Sequence, residues 1–248
     1  MEGIIGFMAY PLNLIFALVW SGGMLWLWHY SRQSAFVRFL LSRRAVISSI
    51  LLFLSTALLI GLSGKPELTR TLWFALICLY LMTVLAMVLI RGWRNRAERG
   101  LKSLRLRFIL LHAGLLLALS SGFWGTPDSE SLRAQLFLSR PVSEAYTEEG
   151  RRVHLPYELE LFDFQISRAV LGVDGKEVVL RVNDPHSISL GEDLYMSGYD
   201  SYKGNGSEYC IVEIVREPWK YWALAGILMM LAGAFLLFFS GPVAGARK

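Results

Sequence analysis

TLWFALICLYLMTVLAMVLI, residues 71–90, runs for 20 positions without a charge, a proline or a glycine. A hydrocarbon core about 30 Å thick takes roughly 20 apolar residues in a helix to cross it, so this stretch predicts a membrane span. Four more stretches of similar character lie around it: 11–30 (PLNLIFALVWSGGMLWLWHY), 45–63 (AVISSILLFLSTALLIGLS), 107–124 (RFILLHAGLLLALSSGFW) and 219–240 (WKYWALAGILMMLAGAFLLFFS). The first is not a cleavable signal peptide, being too long and having neither a basic leading region nor a small-residue cleavage pattern before Arg32. Composition agrees with five spans. Of the 248 residues, 54% are hydrophobic and 18% charged, with mean hydropathy +0.43, a balance unlike that of a soluble domain.

The net charge of +5 hides a segregation. Residues 125–218 hold 17 of the 20 acids and 9 of the 25 bases, while the rest of the chain has 16 bases and 3 acids. That is a set of basic loops beside a separate acidic domain, not a groove for phosphates, and it excludes nucleic acid as a partner. Arg32, Arg38, Arg43 and Arg44 separate the first two spans, and Arg91, Arg94, Arg96, Arg99, Lys102, Arg105 and Arg107, against Glu98 alone, separate the third and fourth. Basic loops stay in the cytoplasm. The expected topology therefore has the N-terminus outside, the 125–218 domain outside, and Arg247 and Lys248 inside. Trp124, Trp219, Tyr221 and Trp222 are placed to mark the outer headgroup layer.

Within 125–218 the pattern turns to strand. Tyr157, Leu159 and Leu161 alternate with Glu158 and Glu160, the period of a half-buried strand. RAVLGV and KEVVLRV flank Asp174-Gly175, a two-residue hairpin turn. Further strands are expected around Asp193–Ser197 and Tyr209–Val215, with a turn at Lys203–Gly206 and a stop at Pro218. The segment 130–139 (ESLRAQLFLS) is expected to be a short amphipathic helix near the membrane surface. The predicted fold class is an integral membrane α-helical protein with five transmembrane helices and a small extracytoplasmic antiparallel all-β domain. Its parts are a membrane domain at 1–124, the β domain at 125–218, and a fifth span with a short cytoplasmic tail at 219–248.

Motifs of self-contained catalysis are missing. There is no phosphate-binding glycine loop, no GxSxG, no HExxH and no CxxC, and Cys78 and Cys210 stand 132 positions apart. The domain's carboxylates are spread over strands and loops as a solvated surface would spread them. Histidine is the scarce residue. His112 falls inside the fourth span, where an ionisable group is expensive and faces a partner or a cavity. It can bond a neighbouring helix, relay a proton or ligate haem iron. Gly114, Ala118 and Gly122 follow it at four-residue intervals, a stripe that lets another helix approach closely. His29 closes the first span at the same side of the membrane. It either rests at headgroup depth or joins His112 in a bis-imidazole site. His154 and His186 belong to the β domain, as loop or surface residues.

Residues 181–222, RVNDPHSISLGEDLYMSGYDSYKGNGSEYCIVEIVREPWKYW, resemble the carboxy-terminal signature of the ResB family, the CcsB-type cytochrome c biogenesis proteins. The matching positions are Val182, Asn183 and Pro185, then Gly191, Tyr195, Tyr199 and Asp200, then Arg216 and Pro218. The fourth span and its exit are also similar to a short subgroup of that family, so the likeness covers roughly 105–240. Four spans precede the domain here, where longer members have three. The resemblance implies a bacterial inner-membrane subunit of a System II cytochrome c synthase. Such a subunit pairs with a CcsA/ResC-like membrane protein that carries the tryptophan-rich WWD haem motif, and serves apocytochrome c. It implies transient haem b as cargo and His112 as the candidate axial ligand of haem iron. With such a cargo, the position of His29 makes it a second candidate haem-binding residue, and Arg105 or Arg107 would attract the dianionic propionates. The resemblance assigns no catalytic residue; the chain is at most co-catalytic in a haem lyase complex. Asn183, Pro185, Tyr195, Tyr199 and Asp200 are expected to form loops or meet partners. The contrasting expectation is a membrane-anchored assembly or sensing subunit without a cofactor, binding partners through its outer domain.

Overall fold

The computed structural model describes residues 9–31, 33–98 and 102–239. Arg32, Arg99, Arg247 and Lys248, to which the topology above appeals, lie outside the described residues. The chain divides into two compact units, residues 1–127 with 219–248, and residues 128–218.

The first unit is helical. Helices α1 (Leu12–Tyr30), α3 (Arg43–Ser63), α4 (Leu72–Glu98), α5 (Lys102–Gly125) and α6 (Lys220–Phe239) carry the five predicted spans, and a short helix α2 (Ala35–Leu40) joins α1 to α3. Among the described residues, five helices are long and apolar enough to cross a membrane, and the chain is a multi-pass membrane protein. Helix starts follow local chemistry. Ser34 and Ser42 accept the backbone N–H of Val37 and Ala45, both at 3.2 Å, satisfying donors that a first turn leaves open. Gly64, at φ +62°, closes α3 in the left-handed conformation that favours glycine. α4 outruns its apolar stretch into the basic connection, since Arg, Ala and Glu are good helix formers.

Polar links between spans hold particular positions in register. Asn13, fully buried at the start of α1, donates from Nδ2 to the carbonyl of Trp124 at 2.9 Å, and Trp20 donates to Thr83 Oγ1 at 3.1 Å. Val37, Leu40, Ala45, Val84 and Met87 form a small core among α2, α3 and α4. The closest packing joins α5 to α6. A Cβ added to Gly114 would fall 2.6 Å from the Gly226 carbonyl oxygen, and one added to Gly226 would fall 2.6 Å from the Ala118 amide nitrogen. Gly233 meets Leu110 and Leu111 in the same way, at 2.9–3.0 Å. Gly114 and Ala118 thus act as the sequence pattern expects, whereas Gly122 faces open space.

The second unit is an eight-stranded antiparallel sheet in the order β5-β4-β3-β2-β1-β8-β7-β6. Its strands are β1 (Glu130–Phe137), β2 (Val142–Thr147), β3 (Arg152–Gln165), β4 (Arg168–Val173), β5 (Lys176–Arg181), β6 (His186–Ser189), β7 (Glu192–Tyr199) and β8 (Tyr209–Arg216). The predicted hairpin is present. Asp174 at φ +47° and Gly175 at φ +76° join β4 to β5, both positive as a type I′ turn requires. Leu132, Leu136, Leu155, Leu159, Leu161, Leu171, Leu180, Leu194 and Ile214 fill one core. Contacts between β3 and β7, four places apart in the order, show that the sheet curls around that core: Tyr157 reaches Glu192 and the Phe164 ring lies 5.4 Å from that of Tyr199.

One expectation is overturned. The segment expected to be an amphipathic helix at 130–139 is strand β1, paired residue for residue with β8 from Glu130↔Arg216 to Phe137↔Tyr209. Leu132, Ala134 and Leu136 are fully buried while Arg133, Gln135 and Phe137 face out. That alternation gives a pleated strand a continuous apolar face. β2 and the short edge strand β6 had no clear sequence signal.

Candidate functional site

In the membrane unit the predicted residues are His112 and His29. α5 brings His112 one turn past Phe108, whose carbonyl oxygen lies 2.9 Å from Nδ1. A carbonyl only accepts, so Nδ1 donates, and a neutral ring held in this way keeps its lone pair on Nε2. The Phe108 ring stacks on the imidazole with centroids 4.1 Å apart at 28°, which fixes the ring plane. The residue is half-buried. An oriented imidazole whose Nε2 meets no hydrogen-bond partner among the described residues has, when neutral, the donor chemistry that an iron ligand needs, the backbone bond serving as its orienting partner.

His29 has different surroundings. It is exposed at the end of α1, edge-on to Tyr30 with centroids 4.7 Å apart. With Trp28, Tyr30, Gln33 and Arg94 it lines a concavity of about 370 Å³. Among the described residues no ring contact or hydrogen bond joins His29 to His112. The Asn13–Trp124 bond registers α1 against α5. From that bond, at 1.5 Å rise per residue, His29 is about 24 Å along α1 and His112 about 18 Å along α5, roughly one turn apart in depth. No group of three or more His, Cys, Asp or Glu side chains converges among the described residues, and Cys78 and Cys210 are both free thiols.

In the β domain the motif residues build loops. Asn183, exposed and at φ +60°, turns the chain after β5, where Asp184 donates its N–H to the Arg181 carbonyl at 3.2 Å. Pro185, which cannot donate to a ladder, precedes β6. Gly191, at φ +84°, lies against the chain at Pro218: an added Cβ would fall 2.8 Å from the Pro218 Cα, and its carbonyl accepts the Glu217 N–H at 2.6 Å. Tyr195 sits on β7 opposite Glu213, and Tyr199 opposite Cys210. Asp200 organises the following turn, accepting the Tyr202 N–H through Oδ1 at 3.0 Å and the Lys203 N–H through its carbonyl at 3.2 Å. His154 and His186 are exposed on β3 and β6.

Sequence reasoning did not find the polar cluster that Arg216 gathers. Arg216 Nε donates to Glu192 Oε1 at 2.8 Å, and its Nη1 lies 3.5 Å from Glu130 Oε2. Tyr157 Oη donates to Glu192 Oε1 at 2.7 Å, and Ser189 Oγ to Oε2 at 3.2 Å. The Glu192 side chain is 13% exposed. Burial opposes its charge, yet the hydrogen bonds from Arg216 and Tyr157 and the Arg216 charge hold its carboxyl below the ordinary value. Burial, then the bond to Glu192, pushes the Tyr157 hydroxyl well above the tyrosine range. The available signal was modest: Arg216 is flanked by Glu130 and Glu192 as cross-strand partners, which becomes visible only once the register is known.

Neither a protein-family model nor a curated protein sequence matches the chain. Among solved structures it is similar to one named cytochrome c heme lyase CcmF, with a TM-score of 0.39 and 18% sequence identity. The superposition covers 79% of this chain and 35% of that one, so the chain spans about a third of that protein's length.

Proposed function

We propose that this chain is a ResB/CcsB-like accessory subunit of a System II cytochrome c synthase in a bacterial inner membrane. In this reading the basic α4–α5 connection faces the cytoplasm and the β domain faces the periplasm. Haem b is the cargo, taken in from the cytoplasmic side and presented, with a CcsA/ResC-like partner, to apocytochrome c. The partner's residues perform the covalent attachment, and this chain supplies binding and orientation.

The supporting observation is the state of His112. Its Nδ1–H is committed to the Phe108 carbonyl, so its one remaining lone pair, on Nε2, is available to the cargo's iron. His29, at the concavity with Trp28 and Arg94, is the entry-side residue, where aromatic and cationic groups suit a flat dianion. The likeness of residues 181–222 to the family signature adds to this. Its residues Asn183, Gly191 and Asp200 each make a turn that shapes the domain, consistent with a platform for the partner.

The test is co-purification of the full chain with a WWD-bearing partner, followed by haem quantitation and absorption spectroscopy. Wild type is expected to bring down haem with a Soret band. His112→Gln, which keeps a polar side chain but no strong iron donor, is expected to lose most of it, and His29→Ala to lose less. Full haem retention by His112→Gln would overturn the ligand role. A colourless wild-type complex would replace this reading with that of a cofactor-free assembly subunit. Protease cleavage at an engineered site beside Gly175 in sealed vesicles checks the orientation.

A further inference from the structure

The membrane unit holds a charge that no described residue compensates. Arg107 is only 6% exposed, and its Nε is sealed from solvent with no hydrogen-bond partner. No ion pair joins it to any described residue. The sequence explains why. The unit has three acids, Glu2, Glu67 and Glu98. Glu2 lies outside the described residues, and Glu67 belongs to the turn Pro66–Arg70 at the opposite end of α4. Glu98 is the last residue of α4, and in the sequence its neighbours are Arg91, Arg94, Arg96, Arg99, Lys102 and Arg105. A buried guanidinium without a counter-ion is costly, and none of the described residues supplies one, which favours an anion brought to it.

Its position says from where. Arg107 is the second residue of the apolar stretch Leu106–Asp128, at the level where hydrocarbon gives way to headgroups. It also continues, at helical spacing, the line Leu111, Gly114, Ala118 that packs on α6, and its side chain is buried, not extended into solvent. The planar fork of a guanidinium matches a phosphate oxyanion, and the basic residues around it concentrate anions at that surface. We propose that Arg107 binds a phosphate oxyanion, supplied by the phosphodiester of a phospholipid in the leaflet at the α4–α5 end. The proposal stands independently of the haem reading.

The full chain in a mild non-ionic detergent is titrated with phosphatidylglycerol, with thermal unfolding and native mass spectrometry as readouts. Wild type is expected to retain at least one phospholipid and to gain in midpoint. Arg107→Gln is expected to bind about fivefold more weakly, the effect of about one charge near a membrane surface. Arg44→Gln removes an exposed charge from the first turn of α3, and is expected to change binding less than about twofold. Equal binding by wild type and Arg107→Gln overturns the proposal, as does an equal loss in Arg44→Gln. An equal midpoint gain from inorganic phosphate overturns the lipid as the source, and saturation by hemin in place of lipid does so too. Should Arg107→Gln not fold, wild type decides alone: no retained phospholipid and no gain in midpoint reject the site.

Discussion

Between α5 and α6 Gly114 and Gly226 bring backbone onto backbone and Gly233 admits the Leu110 and Leu111 side chains, and none of the three leaves space for a methyl group. In the strip β1–β8–β7 the contact is side chain on side chain, with leucines on the inner face and the Arg216 cluster among Glu130, Glu192 and Tyr157. Each suits its solvent. Lipid offers helices no hydrophobic reason to associate, so close approach supplies the attraction. Water drives the sheet's apolar face inward and makes paired charges acceptable at its margin. The sharpest way to break the contrast is at the seam. Gly226→Leu is expected to cost about 3 kcal/mol or more, because the atoms it would strike are the backbone of Gly114 and Ala118. Gly122→Leu, on the open side of α5, is expected to cost nothing and to gain up to about 1 kcal/mol. Unfolding of the full chain in mixed micelles reads both, and a tolerated Gly226→Leu would show that the helices are held by something other than their closeness.

In the sheet the corresponding break is Arg216→Met. It leaves the Glu192 carboxylate, 13% exposed, with Tyr157 and Ser189 as its remaining donors, and is expected to cost about 1–3 kcal/mol. Cys210 provides the readout. It is fully buried, and burial pushes its thiol up to about 12, so in a Cys78→Ser background alkylation reports opening of the domain alone. pH sharpens the same point from both sides. Glu192 titrates in the folded domain below its ordinary 4.5, so its contribution is present above that pH and is lost as pH falls through the folded value. Tyr157 is raised above its ordinary 10.0, so its contribution is full below pH 10 and is lost as pH rises through the folded value. Glu192→Gln is expected to flatten the acid limb of a midpoint-against-pH curve, and Tyr157→Phe the alkaline limb. Limbs that survive both exchanges would assign the pH dependence to other residues.

The two regions also differed in how far they could be read in advance. A span needs only a long apolar run, and all five were legible. The Asp174-Gly175 hairpin was legible because a two-residue turn leaves few alternatives. ESLRAQLFLS was not, since Leu132 and Leu136 fit one face of a helix as well as one face of a strand. Pairing with β8, some 80 positions later, decides between them. The Arg216 cluster was hidden for the same reason, because Tyr157, Glu192 and Arg216 meet only through register and curl. In the helical unit the sequence pointed to Gly114 and Ala118. It gave no sign that Gly226 and Gly233 were their counterparts, or that Arg107 lay buried. His112 lies between these cases: its span was clear, and the bond to the carbonyl four residues earlier follows from helix geometry.

The smallest expected effect separates the two regions at a pair of glycines with room to spare. Neither Gly122 nor Gly175 has an atom within 4 Å of an added Cβ, so Ala substitution at either meets no steric wall. They differ in backbone. Gly122 is helical, and alanine there removes unfolded-state freedom, for an expected gain of about 0.5–1 kcal/mol. Gly175 sits at φ +76°, where a Cβ crowds its own peptide, for an expected loss of about 1–2 kcal/mol. Unfolding in micelles reads the first and Cys210 alkylation the second. Opposite signs would show that conformational freedom governs both units where packing is silent. Equal signs would mean that the β4–β5 turn relaxes out of its left-handed geometry when given a side chain, and that the hairpin is fixed by the strands and not by the turn.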